Sequence, residues 1–322
     1  MNSINPKKLN VAVIGYGHLG KWHCEKVSSS SLAHLEAIVD PSSQSRERAK
    51  EVYPDTKIFI DLHELDAVKI DAAIVVVPTS HHFEVVDHFL KRGVHVFCEK
   101  PLIQNLDQAK KLNEMVKGKD VILQVGHSER FHQVWDEREK FKKFFDDQAV
   151  IKFNRMAIPK GRAKDVDVVH DLMIHDLDLL NFLIEEKPCK LRAWGCKMVN
   201  DKWDSVTAEI KFPSGKVAIL SSTRHYVEEK RYLSVTNKNG CLLVDLLNHK
   251  FKTSEILGKD EDFILKEESY NKRDHLKIEQ EFFYSSILNN SPVVVNIDDG
   301  IYAVALVDKI LKSLELQKEL EI

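Results

Sequence analysis

A glycine-rich turn near the start of the chain constrains the fold more than any other feature. The segment GYGHLG, residues 15–20, follows an apolar run at residues 9–14 and opens a stretch of helical periodicity, and Asp40 ends the next apolar run. A strand, a G-x-G-x-x-G turn, a helix and an acid about 20 residues further on form the dinucleotide-binding unit of a parallel βαβ sheet. The chain is therefore predicted to begin with a Rossmann-type domain that binds a dinucleotide.

Each position of this turn has its own predicted role. Gly15 permits the tight turn, Gly17 lets the backbone approach the pyrophosphate, and Gly20 lets the helix pack close to the strand. His18 and Leu19 begin the helix, whose free N–H groups face the phosphates. All five residues are predicted to bind the cofactor.

Asp40 indicates which dinucleotide is bound. A carboxylate at the end of the second strand can accept hydrogen bonds from both ribose hydroxyls and would repel a 2′-phosphate. The sequence thus favours NAD as the cofactor, while Arg46 nearby leaves NADP open.

The order of the remaining elements predicts two domains. Up to residue 125, β-rich runs alternate with helical patterns, as in a doubly wound parallel sheet; the strands are predicted at residues 9–15, 35–40, 57–61, 71–78, 95–101 and 121–126. After residue 126 the strands come in a run, at 150–157, 191–199, 205–212, 216–222, 231–236 and 240–245, with helices at 166–185, 275–288 and 298–320. The predicted fold is α/β: an N-terminal Rossmann domain (1–125) and a C-terminal α+β domain (126–322) with a large, mostly antiparallel open sheet. The closing helix, about 298–320, can pack back on the first domain.

Composition excludes several classes of partner. Apolar residues make up 43% and charged residues 30% of the 322 residues, with a net charge of −3, so the basic excess typical of nucleic-acid binding is missing. No apolar run approaches the roughly 20 residues of a membrane helix, and the first residues contain no signal core, which predicts a cytoplasmic protein without a membrane partner. Five scattered cysteines without a CxxC pair indicate neither a disulfide framework nor a zinc site.

Three further motifs carry a resemblance to a known family. They are CEKPL at residues 98–102, VPTSHH at residues 77–82 and GHSERF at residues 126–131. Together with the glycine-rich turn and the closing helix, they resemble the Gfo/Idh/MocA oxidoreductases essentially from end to end. The resemblance implies further cofactor contacts at Pro78, Thr79, His82, Glu99 and Lys100.

Within that family, residues 165–178 look most like members that oxidise the 3-hydroxyl of UDP-N-acetylglucosamine in making diamino-sugar lipid A. The resemblance implies a catalytic set of Lys100, Asp171 and His175. Asp171 and His175 are four residues apart and so share one face of a helix, and histidine titrates near neutral pH, which suits a general base. Asp171 would orient the imidazole, and Lys100 would polarise the reacting oxygen or, with a lowered pKa, itself take the proton.

A nucleotide-sugar substrate brings a pyrophosphate that needs cationic partners. The residues predicted to bind the substrate are His127, Arg130, Arg162 and Arg224. The proton acceptor and hydride acceptor account for the oxidation, so no metal is predicted. The cluster of histidines and aspartates at residues 170–178 could suggest a metal or a phosphohydrolase, but such hydrolases need an all-helical domain and further distant ligands.

Two other functions stay open at this stage. One is a dehydrogenase of the same family that acts on a free sugar, inositol or another cyclic substrate. The other is a non-catalytic sensor of NAD or a sugar on the same fold. We expect the chain to form a homodimer or homotetramer. If the substrate is a sugar nucleotide, we also expect a partner aminotransferase that acts on the keto product.

Overall fold

The computed structural model describes residues 8–104, 106–146, 148–159, 166–257 and 262–322. Two compact units can be distinguished by their internal contacts. The first unit contains the chain up to Ser128 together with Asp274–Val304, and the second contains Glu129–Arg273 and Ala305–Ile322. The predicted domain division at residue 125 stays a prediction.

The regular elements of the described residues are numbered in chain order. The strands are β1 (Leu9–Ile14), β2 (Ala33–Val39), β3 (Lys57–Phe59), β4 (Ala72–Val75), β5 (His95–Glu99), β6 (Leu123–Gly126), β7 (Val150–Met156), β8 (Lys190–Cys196), β9 (Ser205–Lys211), β10 (Val217–Thr223), β11 (Lys230–Asn237), β12 (Gly240–Asp245), β13 (Lys250–Leu257), β14 (Asp262–Ser269) and β15 (Leu320–Glu321). The α-helices are α1 (His18–Ser29), α2 (Ser43–Val52), α3 (His82–Lys91), α4 (Leu106–Val116), α5 (Arg138–Phe141), α6 (Ile174–Leu183), α7 (His275–Asn289) and α8 (Ile297–Leu316). Short 3₁₀ helices lie at Leu62–Ala67, Thr79–His81, Ser128–Phe131, Gln133–Glu137 and Lys142–Phe145, and a π-helical turn lies at Val169–Met173.

The first unit is built on a six-stranded parallel sheet. Its order is β3-β2-β1-β4-β5-β6, and every pair of neighbours is parallel. All residues of β4 are buried, as expected for a strand covered by helices on both faces. Side chains of β1, β4 and β5, among them Val13, Ile74 and Phe97, share one apolar core with Phe283 and Tyr284 of α7. The predicted doubly wound parallel sheet is confirmed.

The second unit carries a nine-stranded sheet. Its order is β14-β13-β12-β11-β7-β10-β9-β8-β15, and all neighbours are antiparallel except β7 and β10. Alternate residues of β9 are buried, which gives this strand one wetter face. The prediction of a large, mostly antiparallel sheet is confirmed. Strands β13, β14 and β15 are absent from the sequence-based assignment.

Within the described residues, no helix combines the length and the apolar character that crossing a lipid bilayer requires.

Candidate active site

The predicted cofactor residues lie at one edge of the parallel sheet. The strand order reverses between β1 and β4, and ligands of open parallel sheets bind at such a switch point, beyond the carboxyl ends of the strands. The residues that directly follow the carboxyl ends of β1, β2, β5 and β6 are Gly15, Asp40, Lys100 and His127, and Pro78 lies three residues beyond the end of β4. The fold thus brings these positions of the first unit to one edge.

The glycine-rich turn has the geometry that a pyrophosphate needs. Gly15 has φ +101°, and a Cβ there would lie 2.6 Å from the carbonyl oxygen of Val76. Gly17 is the N-cap residue of α1, and no heavy atom lies within 4 Å of where its Cβ would be. Among the described residues, no side chain caps this helix. An open helix N-terminus beside a glycine backbone suits the phosphates of NAD, so the residues present fit this cofactor.

Asp40 is held as a fixed acceptor at the end of β2. Its Oδ2 accepts a hydrogen bond from the backbone N of Tyr16 at 2.7 Å, and its Oδ1 accepts one from the backbone N of Ser42 at 2.8 Å. Arg46 donates from Nη1 to the carbonyl oxygens of Asp40 and Pro41, both at 2.8 Å. The guanidinium is therefore engaged with backbone, and the carboxylate presents a negative charge that favours NAD over NADP.

A buried chain of hydrogen bonds positions the carboxylate next to Lys100. Tyr284 donates to Oε1 of Gln280 at 2.9 Å, and Nε2 of Gln280 lies 2.9 Å from Nδ1 of His23. The amide nitrogen can only donate, so Nδ1 of His23 accepts and its Nε2 carries the proton. This Nε2 donates to Oε1 of Glu99 at 2.9 Å. Sequence reasoning missed Gln280 and Tyr284, because they are more than 150 residues away from Glu99.

The pKa of Glu99 lies below its ordinary value. Burial alone would raise it, but the hydrogen bond from His23 and the charge of Lys100 favour the carboxylate. The backbone N of Lys100 donates to Oε2 of Glu99 at 3.1 Å. Lys100 therefore begins its loop beside a carboxylate whose charged form is favoured.

His82 braces two loops at the same edge. Its Nε2 lies 2.9 Å from the carbonyl oxygen of Val77, and its Nδ1 lies 2.9 Å from that of Pro101 and 3.2 Å from that of Leu102. Burial lowers the pKa of His82, and the hydrogen bonds to the three carbonyl oxygens act in the opposite direction. These contacts fix the loops that follow β4 and β5, and a direct contact between His82 and the cofactor stays a prediction.

The other predicted residues of the first unit occupy distinct places. His18 and Leu19 are exposed in the first turn of α1, and Thr79 begins the 3₁₀ helix Thr79–His81. His127 is buried immediately after β6, and its backbone N donates to the carbonyl oxygen of Val125 at 2.9 Å.

The catalytic pair predicted in the second unit lies on an irregular helix. Asp171 belongs to the π-helical turn Val169–Met173, and His175 belongs to the first turn of α6. Both side chains are partly exposed. A π-turn is wider than an α-turn and frequently marks a functional site; that Asp171 and His175 share one face stays a prediction.

Sequence reasoning missed a buried ionic network beside this helix. Arg155 of β7 donates to both carboxylate oxygens of Asp176, at 2.7 to 3.0 Å, and from Nη1 to Oε1 of Glu129 at 3.2 Å. The same Oε1 accepts from Nη1 of Arg231 at 3.0 Å, while Oε2 lies 3.1 Å from Nε2 of His132. Burial alone would raise the pKa of Glu129, but the surrounding cations hold it well below its ordinary value. The network fixes the residue that follows His175 in sequence.

Two arginines predicted to bind the substrate are engaged in ion pairs. Arg130 forms a buried bidentate pair with Asp178, at 2.8 and 2.6 Å. Arg224 donates from Nε to Oδ1 of Asp204 at 2.6 Å and from Nη1 to the carbonyl oxygen of Val166 at 2.8 Å. Arg162 lies outside the described residues.

A cavity in the second unit collects several of these side chains. Asp171 and Arg224, both predicted from the sequence, line it together with Arg155, Arg231 and Lys230, which were not. Arg231 is 38% exposed, so its guanidinium can pair with Glu129 and still meet a ligand. The lining also includes the carboxylates of Asp204 and Glu229, so the cavity mixes four cationic side chains with three acidic ones, which suits a polar substrate that carries charge.

Comparison with known proteins gives the family. A family model described as "Oxidoreductase family, NAD-binding Rossmann fold" matches residues 9–127, and one described as "GFO/IDH/MocA C-terminal domain" matches residues 154–243. The UDP-N-acetylglucosamine 3-dehydrogenase of Acidithiobacillus ferrooxidans is 32% identical over 294 residues, which cover 88% of this chain and 90% of that protein. The chain belongs to the Gfo/Idh/MocA family. It is an NAD-dependent oxidoreductase of that family, as the sequence predicted.

Other Gfo/Idh/MocA proteins differ in substrate. The inositol 2-dehydrogenase of Rhizobium meliloti is 26% identical over 336 residues, 96% of this chain and 98% of that protein. A solved structure of the Acidithiobacillus ferrooxidans enzyme superimposes with a TM-score of 0.86 at 30% identity and covers 96% of this chain and 99% of that one. The family thus fixes the fold and the cofactor, and the substrate has to be argued from the site.

The sequence does contain a signal for Arg155, one of the residues that sequence reasoning missed. Ile151, Phe153 and Arg155 alternate along β7 and share its buried face. A charged residue on an apolar face requires a buried partner, and the acidic positions in residues 165–178 were candidates for it. The second arginine, Arg231, has no such signal, because its partner Glu129 lies 102 positions away.

Proposed function

We propose that this protein oxidises the C3 hydroxyl of UDP-N-acetylglucosamine to a ketone, with NAD⁺ as the oxidant. The observation that carries the proposal is the 32% identity to the Acidithiobacillus ferrooxidans enzyme over nearly the full length of both chains. The cationic cavity in the second unit supports it, because a sugar nucleotide carries a diphosphate and inositol carries no charge.

In the proposed reaction, the C3 hydroxyl gives its proton to the protein, and the hydrogen on C3 itself leaves as a hydride to the cofactor. NAD⁺, held by the glycine-rich turn and Asp40, would supply the hydride acceptor at its nicotinamide ring. His175 takes the hydroxyl proton, since imidazole titrates near neutral pH. Asp171 orients the imidazole, and Lys100 donates a hydrogen bond to the oxygen on which negative charge develops. The products are the 3-keto sugar nucleotide, NADH and a proton.

The diphosphate is assigned to the cationic wall of the cavity. Arg231 is the best candidate in the described residues, because it lines the cavity and is partly exposed, whereas Arg130 is 4% exposed. Lys230 lies on the same cavity and adds a second cationic side chain, whereas Arg224 is already paired with Asp204. A bidentate arginine matches the spacing of phosphate oxygens.

A substrate panel tests the proposal. The purified chain is supplied with NAD⁺ and, in separate reactions, with UDP-N-acetylglucosamine, free N-acetylglucosamine and myo-inositol, and NADH is followed by absorbance. We expect turnover of the sugar nucleotide. Turnover of inositol alone would assign the chain to the inositol dehydrogenases that it also resembles, and NAD binding without turnover of any substrate would favour a sensor.

A matched pair of variants tests the diphosphate assignment. Arg231→Ala should raise KM for the sugar nucleotide by about 10- to 100-fold, the effect of losing hydrogen bonds to a charged group, with KM for NAD⁺ unchanged. Arg192 lies in the same unit and stacks over Trp194, 5.2 Å from the ring centre. Arg192→Ala should leave both constants unchanged. The predicted homodimer or homotetramer and the aminotransferase partner stay predictions.

A further inference from the structure

Three side chains with metal-binding chemistry converge on the surface of the first unit. His63 and Asp66 lie on the 3₁₀ helix Leu62–Ala67, and His88 lies near the end of α3. Residues three apart on a 3₁₀ helix stand above one another, so His63 and Asp66 share one face. Helix α3 runs from the carboxyl end of β4 towards the amino end of β5. The cluster therefore lies towards the edge of the sheet opposite to the cofactor residues.

The position of Arg92 shows which atoms of this cluster face a positively charged group. Its Nη1 lies 2.9 Å from Oδ1 of Asp66 and 3.2 Å from Nε2 of His88. A guanidinium has no acceptor, so Nε2 of His88 must direct its lone pair at Nη1. Oδ1 of Asp66 and Nε2 of His88 are themselves 3.3 Å apart. Two ligand-type atoms thus already point at one positively charged atom.

His63 supplies a third ligand to the same place. Its Nδ1 lies 4.0 Å from Oδ2 of Asp66, and its ring centre lies 5.0 Å from that of His88. One ligand atom from each of the three residues falls within 4.8 Å of the others. Zinc–nitrogen and zinc–oxygen bonds are about 2.0 to 2.2 Å long, so the set must contract slightly to hold an ion. The side chains of His63 and Asp66 are 68% and 54% exposed and have room to rotate.

We infer that His63, Asp66 and His88 form a site for a divalent transition-metal ion such as zinc. The ion replaces Nη1 of Arg92, and water completes the coordination. Two imidazoles and one carboxylate suit zinc and its neighbours in the first transition row better than calcium or magnesium, which prefer oxygen ligands alone. The surface depression around the site also contains Glu84, as well as Asp87, which pairs with Lys91 at 2.6 Å.

The competing explanation is a purely structural contact. Nη2 of Arg92 donates to the carbonyl oxygens of Leu65 and Asp66, at 3.1 and 3.4 Å, and so ties the 3₁₀ helix to α3. On that explanation, Arg92 is needed for the arrangement, and its removal would disperse the histidines. On the metal-site inference, Arg92 competes with the ion, and its removal strengthens metal binding. The two explanations therefore predict opposite effects of one substitution.

Titration of the full chain with Zn²⁺ alone tests the inference. The protein carries no histidine tag and is first treated with a chelator, and calorimetry follows binding, with Co²⁺ absorption in the visible range as a second probe. We expect one equivalent per chain in the wild type. His88→Ala and His63→Ala should each weaken binding by at least about tenfold, the smallest loss typical of a change near a metal site. Arg92→Gln should tighten binding severalfold.

His34→Ala is the matched control. This histidine of β2 is 62% exposed and lies 3.6 Å from a single carboxylate, that of Glu36, so it resembles His63 without the third ligand. Zinc affinity should not change in this variant. Absence of zinc binding in the wild type, equal affinity in the wild type and in both His63→Ala and His88→Ala, or weaker binding by Arg92→Gln would overturn the inference. A circular-dichroism spectrum that matches the wild type ensures that each variant is folded.

Discussion

Arg130 donates to both carboxylate oxygens of Asp178, at 2.8 and 2.6 Å, and the two side chains are 4% and 0% exposed. The guanidinium also lies 5.2 Å from the ring centre of Phe182. Removing one partner of a buried pair leaves the other charge uncompensated, which costs about 3–5 kcal/mol. We therefore expect Arg130→Ala to lower the free energy of unfolding by about that amount, measured by urea denaturation.

Arg138→Ala is a suitable control for this prediction. Arg138 stacks on the same ring of Phe182, 4.8 Å from its centre, but its side chain is 47% exposed. Exposed ion pairs contribute at most about 1 kcal/mol, so this variant should change stability little. An Arg130→Ala protein with unchanged stability and a raised KM would instead make Arg130 a substrate ligand, as the sequence suggested.

Glu129 predicts a pH dependence of stability. Despite its burial, Arg155, Arg231 and His132 hold its pKa well below the ordinary value of 4.5. Below that ordinary value the unfolded chain takes up a proton that the folded chain does not, so the free energy of unfolding falls as the pH falls. The stabilisation by Glu129 is therefore complete at neutral pH and is lost under acid conditions. Urea denaturation from about pH 7 to pH 3 measures it.

The variant Glu129→Gln isolates this contribution. It lacks the titrating group, so its stability should fall less steeply than that of the wild type below pH 4.5, and at neutral pH it should be less stable by about 3–5 kcal/mol. Glu255→Gln makes the same exchange in a more exposed pair with Lys143 and should lower stability by at most about 1 kcal/mol. Parallel pH curves for Glu129→Gln and the wild type would contradict the assignment.

The first unit was predictable from the sequence because its signals are local. Strands such as β4 are continuous apolar runs, and the glycine turn is read from six adjacent residues. The hairpin of β13 and β14 was missed because many of its residues are lysine or glutamate and no long apolar run marks it. These two strands therefore lack the pattern that identifies a buried strand.

The ionic network could not be predicted in the same way. Glu129 meets Arg155 and Arg231 only after three distant segments have folded. The sequence shows which charged residues are present, but not which of them is neutralised by a buried partner and which stays available to a ligand. For that reason the sequence predicts Arg130 as a substrate ligand and does not single out Arg231, although the structure pairs Arg130 internally and leaves Arg231 partly exposed on the cavity.

The proposed catalytic residues predict a separation of binding from turnover. Lys100→Ala and His175→Ala should each bind NAD⁺ with little change and lose about 10²- to 10⁴-fold in kcat, the usual contribution of a positioned acid or base. Fluorescence titration with NADH and steady-state kinetics measure the two quantities. His170→Ala alters a neighbouring, partly exposed histidine of the same helical segment and should keep most of the activity. A larger loss in His170→Ala than in His175→Ala would reassign the base.

The glycine turn predicts different effects on stability for two substitutions that add the same methyl group. A Cβ at Gly20 would lie 2.0 Å from the carbonyl oxygen of Gly15, so α1 must move away from β1. We expect Gly20→Ala to lower the free energy of unfolding by about 1–3 kcal/mol, the usual cost of overpacking. A Cβ at Gly17 would meet no atom within 4 Å, and its φ of −75° suits alanine, so Gly17→Ala should fold with wild-type stability.

The difference lies in what occupies the space beside Gly17 when NAD is bound. If the pyrophosphate approaches this backbone, a methyl group there blocks it, and the Kd for NADH should rise at least tenfold, or about 1.4 kcal/mol, without any change in melting temperature. Gly20→Ala serves as the control for nonspecific damage to the fold. A substitution at Gly93, such as Gly93→Ser, would be a poor control because φ at that position is +73°. Normal NADH affinity in a fully folded Gly17→Ala protein would show that the phosphates bind elsewhere, and the cofactor contacts assigned to the turn would then be wrong.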